Sequence, residues 1–195
     1  MIREEAVPTL LVYKEIVPGD VRKLLGESND AKTGGGARDL RFPAKPFGPV
    51  MRRIFTIDAV GKNERPIKIA NVMYLDASGK IATTPLEYWP ATTARPTEDR
   101  IAKVHASPAL GGKTPDTTKG RIFVLFSQFS NGMVRCDYAY EDDLRRNGLW
   151  AQEVRDAVLG CLTSTDMKNS TRTVNLAPVQ GYYDFTNGAR YCHAD

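Results

Sequence analysis

Arg121-Ile122-Phe123-Val124-Leu125-Phe126-Ser127-Gln128-Phe129 is the most apolar stretch of the chain and reads as a central strand. Asn131-Gly132 follows it as a hairpin turn dipeptide, and Val134 to Tyr140 returns as the partner strand. Outward from this hairpin, Thr9 to Ile16, Met51 to Val60 and Ile67 to Leu75 carry strand-like patterns. Asp76-Ala77-Ser78-Gly79-Lys80 closes the last of these as a turn, and Gly61 to Glu64 reads as another. Thr171 to Leu176 and Tyr182 to Phe185 are candidate final strands. Asp20 is placed to cap a short helix, Val21 to Leu25. Pro43, Pro46 and Pro49 predict a stiff, exposed connection. One longer helix is plain: from Leu149 to Leu162, Trp150, Val154, Ala157, Val158, Cys161 and Leu162 recur at helical spacing. Many strands with one or two helices predict a mainly β, α+β fold, a barrel or open sheet whose ends the helices close.

The chain has 195 residues, 42% of them hydrophobic, which is enough for a substantial core and most simply one domain. Its formal charge of +4 permits nucleic-acid binding without establishing it. The distribution says more. Lys32, Arg38, Arg41, Lys45, Arg52 and Arg53 fall within one stretch that contains a single acid, Asp39. Three cysteines, Cys136, Cys161 and Cys192, at unpaired spacing predict no disulfide framework and a reducing compartment. No CxxC occurs, and the only histidines are His105 and His193, so no metal site and no cofactor are expected. Met1-Ile2-Arg3-Glu4-Glu5 runs straight into charge, and no apolar run approaches a membrane span. The expected location is the cytoplasm.

Two segments carry the functional signal. Asn29-Asp30-Ala31-Lys32-Thr33-Gly34-Gly35-Gly36-Ala37-Arg38-Asp39-Leu40-Arg41 sets three glycines among cations. Consecutive glycines weaken helices and strands but allow close backbone approach to a surface. No GxxxxGK[ST] pattern and no dinucleotide fingerprint is present. The second segment holds Arg95, Glu98 and Arg100 within six residues, followed by Lys103. Arginine donors match guanine in the major groove, and a carboxylate accepts from the cytosine amino group. A nuclease would call for paired acids with a following lysine. Glu87, Glu98 and Glu141 are instead followed by Tyr88-Trp89, Asp99-Arg100 and Asp142-Asp143.

The run Leu25-Gly26-Glu27-Ser28-Asn29-Asp30-Ala31-Lys32-Thr33-Gly34-Gly35, ending in Phe42-Pro43, resembles the amino-terminal effector domains of EcoRII-type restriction endonucleases. Glu98-Asp99-Arg100-Ile101 is similar to a second stretch of those domains, and the order of elements agrees over residues 10–165. The resemblance implies a DNA-binding pseudobarrel, a seven- or eight-stranded open barrel with one or two helices capping its ends, spanning 1–195. It implies a module of a restriction or phage-defence system that grips duplex DNA with two arms in the major groove. Such a module does not cut; it acts with a nuclease domain or subunit. One arm would be the glycine segment through Arg41, with Lys32, Thr33, Gly35, Gly36, Arg38 and Arg41. The other would hold Arg95, Glu98, Arg100 and Lys103. Arg38, Arg41, Arg95, Glu98 and Arg100 are the expected base readers, and Lys32, Lys45 and Lys103 the phosphate contacts. Gly36, Arg41, Asp99 and the position of Arg95 depart from the family pattern, so the recognition sequence does not carry over. The alternative reading is a small nucleic-acid-processing enzyme, a nuclease or toxin, with an unrecognised active site; a third is a regulator whose basic loops meet an acidic protein.

Overall fold

A computed structural model describes residues 6–27, 38–146, 149–169 and 178–194. The fold is mixed α+β, with a curled, open multi-stranded sheet and a few helices. Ten strands are formed, not seven or eight, and four α-helices among the described residues. Among those residues no helix is long and apolar enough to cross a membrane. The chain divides into two compact units, residues 16–116 and residues 1–15 with 117–195.

The second of these units contains β1 (Pro8–Glu15), β7 (Ile122–Phe129), β8 (Val134–Tyr140), α3 (Glu141–Arg145), α4 (Gln152–Asn169), β9 (Val179–Asp184) and β10 (Arg190–Ala194). Its antiparallel order is β10-β9-β1-β7-β8. The expected hairpin is present, with Phe126 opposite Cys136, and six consecutive β7 residues are buried, as a central strand requires. Helix α4 supplies Val154, Val158 and Leu162 to a core shared with Leu11, Phe123, Leu125 and Trp150. The Glu15 carboxylate accepts two hydrogen bonds from Arg121 at 2.9 Å and a third from the Val179 backbone at 2.8 Å, joining β1 to the segments on either side. Cys161 on α4 and Cys192 on β10 form a disulfide, against the expectation from cysteine spacing. Pairing of these two thiols depends on the strand β10 folding back over α4, which spacing alone does not show. Cys136 is buried and forms no disulfide. Thr171 to Leu176 lie outside the described residues.

The unit of residues 16–116 contains α1 (Pro18–Leu24), β2 (Leu40–Pro43), α2 (Ala44–Ile54), β3 (Ile57–Val60), β4 (Pro66–Leu75), β5 (Ile81–Trp89) and β6 (Glu98–Ile101). Its antiparallel order is β3-β4-β5-β6-β2. Asp20 does not cap α1; it lies within the helix, and its carboxylate takes Lys23 at 2.8 Å. The proline-rich stretch is a helix rather than a connection. Phe47, Val50, Met51 and Ile54 are all buried, at the i, i+3, i+4, i+7 spacing of one helical face. Pro46 follows the non-helical Lys45 and opens the regular part of the helix, where its missing N–H would have no intrahelical partner anyway; Pro49 lies inside the helix. Phe47 packs on Phe42 with ring centroids 5.5 Å apart, and Phe55 stacks on Tyr88 at 5.3 Å.

A fully buried carboxylate lies against this core. Asp99 of β6 is 1% exposed. It accepts the Tyr88 hydroxyl at 2.6 Å and the Ala91 backbone N–H at 2.7 Å. Burial and this hydrogen bond push the Tyr88 phenol above its ordinary pKa, so it remains a donor. Helix α2 comes close enough that a Cβ at Gly48 would sit 3.1 Å from Asp99 Oδ2. Because side chains alternate along a strand, an inward Asp99 turns Glu98 and Arg100 outward. Asp99→Ala leaves two buried donors without an acceptor. The expected loss is about 2–4 kcal/mol of unfolding free energy, read as a lower urea midpoint at unchanged m.

Candidate nucleic-acid interface

The outer face of β5-β6-β2 carries a row of three side chains set by register. Trp89 lies opposite Arg100, and Arg100 lies opposite Arg41. Two arginines facing each other across a ladder repel. Each is therefore matched by an acid. Arg41 pairs with Glu98 at 3.2 Å, both about two-fifths exposed, and Arg100 pairs with Asp39 at 3.1 Å, both largely buried. Asp39 also accepts the Lys103 backbone N–H at 3.2 Å, which fixes the chain where Lys103 adopts a left-handed φ of 53°. The Lys103 ammonium pairs with Glu87 at 2.9 Å, and Glu87 also accepts the Trp89 indole N–H at 3.1 Å. Burial pulls the Glu87 carboxyl upward, but these hydrogen bonds and the lysine charge prevail and hold it below the ordinary glutamate pKa.

Beside this row opens a cleft of about 830 Å³. Trp89 forms its floor, with the Arg65 guanidinium 5.1 Å and the Arg100 guanidinium 5.7 Å from the ring centroid. Gly61 packs on the indole so closely that a Cβ there would lie 2.9 Å from it. The β3–β4 connection brings Lys62 and Arg65 to one wall, and the Thr92–Arg95 turn brings Arg95 to another. Arg65 donates to the Pro90 carbonyl. Burial, and then the charges of Arg100 and Arg95, lower its pKa from the ordinary arginine value. Asp39 and Glu87 are the acids of the cleft, and both are engaged by Arg100 and Lys103. Lys62, Arg65 and Arg95 have no carboxylate partner among the described residues. The cleft thus holds like charges near one another in a partly desolvated setting, an arrangement suited to an anion.

The described parts of the two segments singled out in the sequence come together. β2 and β6 are hydrogen-bonded neighbours, so Arg41, Glu98 and Arg100 share one face. Arg38 is exposed, and its guanidinium lies 3.4 Å from His105 Nε2. Lys45 is exposed at the start of α2. Arg95 stands at the cleft. Lys32, Thr33, Gly35 and Gly36 lie outside the described residues. Trp89, Arg65 and Lys62 escaped the sequence reading. Trp89 becomes significant only when β5 pairs with β6, and Arg65 only when the β3–β4 connection folds over the indole. Comparisons with protein-family models, with curated proteins and with solved structures found no match.

The Asp39–Arg100 pair is expected to behave as a buried unit. Asp39→Ala and Arg100→Ala should each destabilise the fold by about 3 kcal/mol, because each strands the opposite charge. The double variant should lose less than the two single losses combined, by about 1–3 kcal/mol in a chemical-denaturation cycle.

Proposed function

We propose that this chain is a duplex-DNA-binding module of the pseudobarrel type, belonging to a restriction or defence system and acting with a nuclease domain or subunit. The observation that carries this reading is the cleft in which Lys62, Arg65 and Arg95 lack carboxylate partners among the described residues, around the indole of Trp89. Cations held in that way lose little stability, and release counterions, when phosphates replace water and salt. Lys62, Arg65, Lys45 and Lys103 serve as phosphate contacts and fix the register of the duplex. Arg95 and Arg38, on exposed ground, and the half-exposed Arg41–Glu98 pair approach base edges from one side. Arg100, held by Asp39 and lying over Trp89, supports that surface and is a poorer candidate for direct reading than Arg95. Binding of this kind involves no bond breaking in the DNA.

Selection of bound oligonucleotides from a random duplex pool tests the reading, with affinities then followed as a function of salt. Arg95→Ala should weaken binding to the selected site by about 1–3 kcal/mol and relax preference at one position. Lys62→Ala should weaken all duplexes alike and reduce the salt slope by about 1. Absence of any shifted duplex at low salt contradicts the proposal and leaves an acidic protein as the partner. Plasmid cleavage with Mg²⁺ that a single carboxylate substitution abolishes replaces it with the nucleic-acid-processing enzyme.

A further inference from the structure

The unit of residues 1–15 and 117–195 has a cleft of its own, about 460 Å³, between α4 and the strands β9 and β10. Its volume lies within the range of small-molecule sites. Three features of its lining bear on what it can hold. Tyr13 is 2% exposed and lines the cleft, yet its hydroxyl has no hydrogen-bond partner among the described residues. A buried phenol normally has one. Burial raises its pKa from the ordinary tyrosine value, so it is a neutral donor. Arg190 of β10 lines the cleft without a carboxylate partner among the described residues. Glu153 and Asp156, one turn apart on α4, line it without a cationic partner among the described residues.

The shape of the cleft depends on two glycines. Gly181 of β9 lies between Tyr13 and Cys192 in register. A Cβ at Gly181 would fall 2.3 Å from the Tyr13 hydroxyl, so glycine is what lets the phenol occupy this place. Gly160 lies mid-way along α4, where glycine destabilises a helix by about 0.5–1 kcal/mol relative to alanine. A Cβ there would meet nothing within 4 Å. Packing therefore does not demand glycine at 160; an open cleft does. Tyr183 and Phe185, with ring centroids 4.8 Å apart, give one side of the cleft an apolar surface. The Cys161–Cys192 disulfide ties β10 to α4 at the same place.

We infer that this cleft binds a small zwitterion of the α-amino-acid class. Its carboxylate accepts from Arg190 and the Tyr13 hydroxyl, its ammonium meets Glu153 and Asp156, and its side chain lies on Tyr183 and Phe185. A simple organic cation would make no use of Arg190 and the Tyr13 hydroxyl, and a simple carboxylate would be repelled by the two acids. The site is independent of the DNA reading, being built from the other unit.

The test is calorimetric titration of the disulfide-intact protein with each of the twenty standard α-amino acids. At least one with an apolar side chain should bind with Kd of about 1 mM or tighter. Its N-acetyl and carboxamide derivatives should each bind about tenfold more weakly or worse, a difference of about 1.4 kcal/mol. Arg190→Gln should weaken the amino acid but leave its carboxamide unaffected. Gly160→Leu, which fills open space on a helix surface, should abolish binding while the melting temperature holds or rises. Should all twenty fail to bind at 10 mM, about tenfold above that affinity, or should the blocked derivatives bind as well as the parent, or should Gly160→Leu retain full affinity, the inference is wrong.

Discussion

The buried carboxylate of Asp99 determines which residues of the unit 16–116 meet the solvent. It can be satisfied only where Tyr88 and the Ala91 N–H converge, on the core side of β6. A slip of one residue would turn Asp99 outward and drive Glu98 and Arg100 into the apolar core. Two charges would then lie against Phe42 and Tyr88, and Ile101 would be turned out to solvent with Asp99. The parity of this short strand is therefore fixed by its hydrogen-bonded acid together with the buried Ile101. Everything on the opposite face follows: Arg100 lies next to Trp89 in one direction and Arg41 in the other.

That face then has to accommodate its own repulsion. Asp39 and Glu98 neutralise the two arginines that stand directly across the ladder. Lys103 is neutralised by Glu87. The cations brought in by loops, Lys62, Arg65 and Arg95, are not matched in this way among the described residues. Charges belonging to the sheet are thus paired, and charges added around the indole have no carboxylate partner among the described residues.

The extent to which the chain could be read follows from how local each signal is. The β7–β8 hairpin was legible because turn chemistry and apolar runs are both written within twenty consecutive residues. Helix α4 was legible from the spacing of Val154, Val158 and Leu162. Helix α2 was obscured because its prolines suggest a break, although Phe47, Val50, Met51 and Ile54 keep helical spacing. Strands β5, β6 and β10 carry Pro, charge and mixed polarity, and their pairing decides them rather than their pattern. The basic segments of the candidate site were visible as composition. Their lateral pairing, the inward Asp99 and the indole between Arg65 and Arg100 depend on contacts across the sheet, which periodicity cannot encode. The Cys161–Cys192 bond is of the same kind.

The chain contains only two tryptophans, and they report on different places. Trp89 floors the basic cleft, whereas Trp150 is buried beneath Arg135 in the core of the other unit. The most direct test of a DNA-binding cleft is therefore the pair of indole N–H resonances, followed during titration with a selected duplex. The account expects the Trp89 resonance to shift in proportion to bound DNA, while that of Trp150 stays in place. A duplex that binds tightly and leaves Trp89 unmoved would contradict it.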